Sequence, residues 1–165
     1  MPIDSQQLMI LFGQLGIETT TVEHPPLRTI EDSRRLRGNL QGGHAKSLFI
    51  KDKKGCWYWL LTALEQTRID LRVAASLLQA PRFSFANEEE LGRFLGVVPG
   101  AVSPLAAVND VNGRVRVVLD QRVLDADLLN CHPLRNDRTT MIATADLLKF
   151  LDGVGHPPRI IHLPD

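Results

Sequence analysis

Ser47-Leu-Phe-Ile-Lys-Asp-Lys-Lys-Gly-Cys-Trp-Tyr-Trp-Leu-Leu61 is the stretch of sequence that decides the fold. Two apolar runs, Ser47–Lys51 and Trp57–Leu61, flank the polar segment Asp52–Gly55. Short apolar runs of this kind are typical of strands, and a polar segment that ends in glycine is typical of the turn between them. The stretch therefore predicts a β-hairpin.

Outward from the hairpin, strands and helices are interspersed. Further strands are predicted at Thr19–Val22, Val108–Asn112, Arg114–Asp120, Leu128–Cys131, Thr139–Ala143 and Arg159–His162. Helices are predicted from a cap at Asp4 or Ser5 to Gly16, and at Thr29–Arg37, Asp70–Gln79, Asn87–Leu95 and Thr144–Leu151, with Asn87 and Thr144 as the caps of the last two. Asn112-Gly113 is a strong signal for a second hairpin. Since hairpins outnumber long crossovers, we expect one α/β domain over residues 1–165, with a mixed, largely antiparallel sheet surrounded by helices.

Size and charge restrict the class of protein. The 165 residues suit a single domain, and 44% hydrophobic and 23% charged residues are ordinary for a globular chain. With 19 basic and 19 acidic side chains the formal net charge is zero, which argues against a protein that coats DNA but permits local basic patches. The N-terminus lacks the features of a secretion signal, and no apolar run reaches the ~18 residues of a membrane span. We therefore expect a cytoplasmic protein with neither DNA nor membrane as a partner.

The cysteines agree with a reducing compartment. Cys56 and Cys131 lie far apart in the sequence and form no CxxC motif. This spacing favours buried, apolar cysteines over a disulfide or a metal site.

Gly96-Val-Val-Pro-Gly-Ala-Val-Ser-Pro104 is the segment most suggestive of a binding loop. Pro99 and Pro104 prevent it from continuing a helix, and its small aliphatic side chains need cover, unlike those of a flexible linker. Gly96 and Gly100 would allow the backbone and its N–H groups to approach a ligand closely. The alternative is an ordinary turn between packed elements.

Lys46 and His132 are the side chains best placed for chemistry. Lys46 follows the glycine pair Gly42-Gly43 at the entrance of an apolar strand, where its ammonium can reach an anion or a carbonyl group. His132 lies in Asn130-Cys-His-Pro-Leu134, at the end of a predicted strand, and a purely local hydrogen bond is the alternative reading.

Other candidates carry weaker signals. Arg34, Arg35 and Arg37 form a short basic run that is either a solvated face or a phosphate contact. His24 precedes two prolines and is most simply a loop residue. The histidines form no HxxxH or HxH pair, so no metal site is expected, and the motifs of covalent hydrolases are absent from the sequence.

Four segments together resemble the prolyl-tRNA synthetase-associated editing domains, also called YbaK-type aminoacyl-tRNA deacylases. They are His44–Gly55, Gly96–Pro104, Asn130–Asn136 and Thr139–Leu151, and they occur in the expected order over nearly the whole chain. The pattern is most similar to the freestanding enzymes that deacylate alanine-charged tRNA(Pro).

The resemblance implies a mixed α/β fold around a central pocket, with no cofactor and no metal. It implies that the family's lysine is Lys46, its pocket histidine His132 and its glycine-rich loop Gly96–Pro104, whose amides near Gly100 and Ser103 would stabilise an oxyanion. Lys46, His132, Gly100 and Ser103 are thus the implied catalytic residues. The implied substrate contacts are Ser47, Ala101, Val102, Pro104 and Arg34.

The chain departs from the family pattern at two positions. Ser47 replaces a frequent asparagine, which shortens the reach of a hydrogen-bonding group, and Cys131 replaces a bulkier apolar residue, which can alter the size of the pocket.

The resemblance also implies the substrate and the partners. A synthetase pocket that admits proline cannot exclude the smaller alanine, and a methylene-sized difference gives only ~1–3 kcal/mol of discrimination, so a second sieve is useful. The implied partner is aminoacylated tRNA(Pro), with prolyl-tRNA synthetase as a further candidate. Two alternatives stay open: a deacylase for cysteine or serine, and a relative that binds charged tRNA without hydrolysing it.

Overall fold

The computed structural model describes residues 1–26, 40–54 and 57–165. The helices are α1 (Ser5–Gln14), α2 (Leu71–Leu77), α3 (Glu88–Glu90), α4 (Gln121–Asp125) and α5 (Thr144–Gly153), with a π-helical turn at Leu91–Leu95 and a 3-10 helix at Pro104–Asn109. The strands are β1 (Thr19–Glu23), β2 (Gly43–Asp52), β3 (Tyr58–Leu64), β4 (Phe83–Phe85), β5 (Val115–Asp120), β6 (Leu128–Cys131), β7 (Arg138–Ala143) and β8 (Arg159–Ile161).

The described strands form one sheet in the order β1-β7-β6-β2-β3-β5-β8, and β4 pairs with β2 beside this path. The pairings β1–β7, β6–β7, β2–β3 and β2–β4 are antiparallel. The pairings β2–β6, β3–β5 and β5–β8 are parallel. The mixed, largely antiparallel sheet predicted from the sequence is confirmed.

The predicted β2–β3 hairpin is confirmed, and both strands are longer than their apolar runs. Side chains of β2 alternate between the two faces of the sheet. Phe49 belongs to the larger core, which also receives apolar residues of α1, α5 and the 3-10 helix. Ile50 belongs to a smaller core on the other face, beneath α2.

Gly42 allows the start of β2 to approach β6 closely, and Gly43 allows a close approach to β3. Gly42 has a φ of +90°, and a Cβ there would lie 2.7 Å from the Leu128 carbonyl oxygen. A Cβ on Gly43 would lie 2.8 Å from a methyl carbon of Leu64. A larger residue at Gly42 would therefore push β2 and β6 apart at the start of their parallel pairing, whereas one at Gly43 would meet the end of the Leu64 side chain in β3.

The second hairpin predicted at Asn112-Gly113 is wrong. Val108 lies in the 3-10 helix that Pro104 begins, so no strand precedes the turn. Gly113 does turn the chain, with a φ of +69°, and Asp110 accepts hydrogen bonds from the amides of Arg114 (3.1 Å) and Val115 (2.7 Å). β5 then pairs in parallel with β3, because the turn leads the chain away from the 3-10 helix.

The remaining boundaries agree with the sequence to within a few residues. Asp4 caps α1 and Asn87 caps α3, each in a capping box. The predicted cap at Thr144 is wrong: Ala143 occupies the N-cap, and the Thr144 hydroxyl donates to the Ala126 carbonyl at 2.5 Å. The predicted helix Thr29–Arg37 lies outside the described residues. Within the described ranges, no helix is both long and apolar enough to cross a membrane.

Gly42→Ala is expected to destabilise the protein more than Gly113→Ala. Both positions have positive φ, which costs an alanine about 1–2 kcal/mol. A Cβ on Gly113 meets no described atom within 4 Å, whereas on Gly42 it meets the backbone of Leu128. The free energy of unfolding in urea, followed by circular dichroism, measures the difference. Equal losses in the two variants would mean that β6 does not approach Gly42 closely.

Candidate active site

Lys46 lies in β2 near the point where that strand runs parallel to β6. The register pairs His44 with Asn130, and Lys46 and His132 each follow that pair by two residues. Because side chains alternate along a strand, Lys46 shares the sheet face of His44 and Asn130, opposite the larger core. The parallel pairing therefore places Lys46 and His132, which are far apart in sequence, two residues beyond the same register pair and on the same face of the sheet.

His132 is held in one tautomer by its own backbone neighbourhood. Its Nδ1 lies 2.9 Å from the Arg138 carbonyl oxygen. A carbonyl only accepts hydrogen bonds, so Nδ1 carries the proton, and in the neutral ring Nε2 has a free lone pair. Burial lowers the pKa of His132 below its ordinary 6.5, and the nearby His24 lowers it further, although the Arg138 carbonyl opposes this shift. At pH 7 the ring is therefore a neutral base.

His24 lies against His132 and is not the simple loop residue that the sequence indicated. The two rings are edge to face, with centroids 6.4 Å apart. His24 Nδ1 donates to the Pro25 carbonyl at 2.8 Å, and Nε2 accepts from the Thr139 hydroxyl at 2.7 Å. The hydrogen bond from the His24 amide to the Asp137 carbonyl extends the β1–β7 pairing as far as His24. The signal that was missed is the β-branched run of β1, which leads directly into this histidine.

Ser103 fastens the glycine-rich loop to His132. Its hydroxyl donates to the His132 carbonyl oxygen at 2.6 Å and accepts from the Leu105 amide at 3.2 Å. Ser103 thereby caps the 3-10 helix that begins at Pro104, and its side chain is almost completely buried. With both its donor and an acceptor position engaged, this hydroxyl positions the loop and is not free to act as a nucleophile.

The loop presents backbone amides without internal partners. The Ala101 amide donates to the Val98 carbonyl at 3.1 Å. Those of Gly100, Val102 and Ser103 donate to no group in the described part of the chain. Gly100 has a φ of +90°, a conformation that a residue with a side chain rarely adopts. Such unpaired amides in a fixed loop form a suitable binding site for an anionic oxygen.

Ala101, Pro104 and Gly96 pack against other parts of the protein. Ala101 and Pro104 are buried and Val102 is half-buried, so the loop is seated on the larger core. Gly96 ends the π-helical turn with a φ of +64°, and a Cβ there would lie 2.6 Å from Pro2. The close approach that this glycine permits in the structure is to the N-terminal segment, and the expectation that it approaches a ligand stays a prediction.

Lys46 lies in a partly desolvated environment. Burial lowers the pKa of its ammonium group, and the carboxylate of Glu65 acts in the opposite direction, favouring the charged form. A half-buried cation of this kind interacts more strongly with an anionic or carbonyl oxygen than a fully solvated one would.

The structure does not bring Ser47 together with Lys46. Ser47 follows Lys46 in β2 and lies on the opposite face, where its hydroxyl is 2.7 Å from that of Thr62. Arg34, the remaining predicted contact, lies outside the described residues.

Cys131 has no role in nucleophilic chemistry. It is buried in the larger core, and burial raises the pKa of its thiol to about 12, so it stays protonated. The described residues also contain no group of three or more His, Cys, Asp or Glu side chains that could hold a metal ion.

Known proteins resemble this chain over its full length. Residues 24–150 match the aminoacyl-tRNA editing domain. Prolyl-tRNA editing protein ProX of Acetoanaerobium sticklandii is 31% identical over 164 residues, which cover 99% of this chain and 100% of the relative. Prolyl-tRNA synthetase associated domain-containing protein 1 of Bos taurus is 36% identical over 152 residues, which cover 90% of this chain and 88% of the relative.

A solved structure confirms the fold. It was assigned to a trans-editing enzyme for prolyl tRNA synthetase and matches with a TM-score of 0.75 over 98% of this chain and 96% of its own, at 22% sequence identity. The family resemblance that the sequence predicted is thus confirmed, and the chain belongs to the aminoacyl-tRNA editing domain family.

Proposed function

We propose that residues 1–165 act as one trans-acting aminoacyl-tRNA deacylase that hydrolyses alanine mischarged onto tRNA(Pro). The observation that carries the proposal is the hydrogen bond from Ser103 to the His132 carbonyl, because it holds unpaired loop amides next to a neutral histidine. Family membership and the similarity to a prolyl-tRNA editing protein support the choice of substrate. Since charged tRNA is consumed where translation takes place, we expect the protein in the cytoplasm, with prolyl-tRNA synthetase as a candidate partner.

The ester that links an amino acid to tRNA is already activated, so water can attack it without a covalent enzyme intermediate. In our proposal a water oxygen adds to the ester carbonyl carbon, and the carbonyl oxygen becomes an oxyanion. The amides of Gly100, Val102 and Ser103 donate to that oxygen. One such donor contributes about 3 kcal/mol to stabilisation of the transition state. The tetrahedral intermediate then collapses and expels the ribose oxygen, which takes up a proton.

His132 and Lys46 have different tasks in this scheme. The free lone pair on His132 Nε2 accepts a hydrogen bond from the attacking water and can take its proton. The Lys46 ammonium binds the terminal nucleotide or the substrate carbonyl and orients the ester. The vicinal hydroxyl of the ribose can assist the proton transfer.

Discrimination between alanine and proline rests on the size of the pocket. The loop is seated on a close-packed core through Ala101 and Pro104, so its backbone cannot yield freely to a larger side chain. Forcing extra methylenes into such a site costs ~1–3 kcal/mol. A misfit also displaces the ester carbonyl from the amides, which adds to the loss of rate.

Lys46→Met is expected to lower kcat/KM for alanine-charged tRNA(Pro) by about 10- to 200-fold, the equivalent of one charge-assisted hydrogen bond of ~1.5–3 kcal/mol. Methionine keeps the apolar stem and removes the charge, so the melting temperature should hardly change. Lys149→Met is the matched control, since Lys149 is exposed on α5, and it should leave the rate unaltered. A Lys46→Met enzyme as active as this control would remove Lys46 from the mechanism.

The rate is expected to fall at acid pH through protonation of His132. The pKa of this ring is lowered below 6.5, so the neutral, active form prevails at pH 7 and is lost only as the pH falls through that lowered value. His132→Gln should reduce the rate and abolish this acid limb. Single-turnover rates of both proteins between pH 5 and pH 8 test it, with the uncatalysed rate subtracted. An acid limb that survives in His132→Gln would assign it to another group.

Alanine-charged tRNA(Pro) is expected to be hydrolysed about 10- to 100-fold faster than proline-charged tRNA(Pro), given the cost of overpacking. Gly100→Val should slow both reactions to a similar extent, because it disturbs the amides and not the size of the pocket. Rates at equal enzyme concentration on tRNA(Pro) and tRNA(Cys), charged in turn with alanine, serine, cysteine and proline, give the comparison. Similar rates for alanine and proline would contradict the editing function, and a preference for serine or cysteine would change the assigned substrate.

A further inference from the structure

Arg116 is a surface guanidinium that is oriented but unpaired. Its Cζ lies 4.0 Å from the ring centroid of Trp57 and 5.0 Å from that of Trp59. Trp57 itself is 37% exposed. No described carboxylate or carbonyl accepts a hydrogen bond from Arg116, whose side chain is exposed. Stacking on two indoles restricts the guanidinium while leaving its N–H edges open to a ligand.

Arg82 continues this surface across the sheet. Its neighbour Phe83 packs edge to face against Trp59, with centroids 5.5 Å apart. Arg82 and Phe83 line two adjoining clefts, one shared with Lys53 and the other with Arg72. Over residues 1–26, 40–54 and 57–165, the side chains of Arg82, Lys53 and Arg72 have no hydrogen-bonding or ionic partner. We call Lys53, Arg72, Arg82 and Arg116, with Trp57, the basic–aromatic surface.

Four basic side chains elsewhere in the described structure are paired with carboxylates. These ion pairs are Lys51–Glu90 (2.9 Å), Arg122–Asp165 (3.1 Å), Arg135–Asp137 (2.6 Å) and Arg138–Glu23 (3.6 Å). Although the formal net charge is zero and Asp52 and Asp70 line the same clefts, the four basic side chains of the surface lie close together near the β2–β3 turn, α2 and β5 without forming ion pairs with described residues. Such a local field attracts polyanions even though the whole chain is neutral.

The surface lies within reach of the candidate active site. Lys46 is opposite Ala63 in β3, and Arg116 is opposite Trp59 in the same strand. Four residues along β3 and two strand spacings separate them, which corresponds to roughly 16 Å between their Cα atoms. A tRNA whose aminoacylated end lies at Lys46 can therefore extend a few nucleotides of its backbone over the basic–aromatic surface.

We propose that the basic–aromatic surface binds the phosphodiester backbone of the tRNA whose aminoacylated end enters the candidate active site. This inference rests on the proposed deacylase function. Guanidinium groups donate paired N–H bonds to phosphate oxygens, and an exposed indole such as that of Trp57 can stack on a nucleotide base. Contacts of this type depend on salt because each neutralised phosphate releases counterions.

The test compares Arg82→Gln/Arg116→Gln with the charge-matched control Arg93→Gln/Lys149→Gln. Arg93 also stacks on an aromatic ring, that of Phe94 at 5.1 Å, and Lys149 is exposed on α5. Binding of uncharged tRNA(Pro) is followed by fluorescence anisotropy at salt concentrations from about 50 to 200 mM, the range over which phosphate contacts weaken markedly. Hydrolysis of alanine-charged tRNA(Pro) and of alanyl-adenosine, which lacks a tRNA backbone, is measured in parallel.

The first variant should raise Kd and KM by about tenfold or more and reduce the slope of log K against log salt by about 2, one unit for each lost phosphate contact. Its hydrolysis of alanyl-adenosine should equal that of the wild type. The proposal would be overturned if this variant had the same Kd and the same salt slope as the control variant. It would also be overturned if the variant lost as much activity on alanyl-adenosine as on alanine-charged tRNA(Pro), or if polyglutamate displaced the tRNA from the wild type at equal charge concentration.

The two proposals fail in different ways. A wild-type protein that hydrolyses neither substrate, but whose tRNA binding still requires Arg82 and Arg116, would refute the deacylase and retain the surface. A wild-type protein that hydrolyses alanine-charged tRNA(Pro) while the variant binds tRNA normally would refute the surface alone.

Discussion

The parallel pairing of β2 with β6 at His44 and Asn130 is the contact on which the candidate site depends. Apart from this contact, β2 pairs with β3 and β4. β6 pairs with β7, which in turn pairs with β1, and both of these pairings are antiparallel. Among the described strands, only the short contact between β2 and β6 joins these two halves of the sheet, and it requires the close backbone approach that Gly42 permits. Once it forms, Lys46 from one half and His132 from the other each follow the paired residues His44 and Asn130 by two positions.

Preorganisation of the loop depends on a single buried hydroxyl. Ser103 bonds the carbonyl of His132 and the amide of Leu105, so the end of β6, the loop and the 3-10 helix move as one unit. The unpaired amides are thus fixed before any ligand arrives, and little reorganisation is needed when charge develops on an ester oxygen. His132 is fixed in the same way by the Arg138 carbonyl, which selects the tautomer with a free Nε2.

The sequence predicted those parts of the fold that local chemistry determines. The β2–β3 hairpin, β6, β7 and the caps at Asp4 and Asn87 follow from alternation, turn residues and capping residues close to one another in the chain. The Asn112-Gly113 hairpin failed because Pro104, with Ser103 as its cap, begins a 3-10 helix over the region where a strand was expected. The local turn signal was correct, but it carried no information about the partner of β5.

In the candidate site, too, local features could be predicted from the sequence and long-range contacts could not. Lys46 and His132 were recognisable from their own sequence contexts and from the family pattern. Their placement on the same face of the sheet was not recognisable, because it depends on a parallel register between strands more than 80 residues apart. The contact of His24 with His132 was missed for the same reason. The His24 hydrogen bond to Thr139 exists only after β1 and β7 pair.

We propose that the amides of Gly100, Val102 and Ser103 and the ring of His132 form one binding site for an aminoacyl ester. An NMR titration with the non-hydrolysable analogue 3′-alanylamido-adenosine tests this directly in a chain of 18.4 kDa. We predict saturable shifts of those three amide signals and of His132 Nε2, all with the same Kd. Saturable binding that leaves these signals unmoved, and shifts signals elsewhere, would contradict the claim.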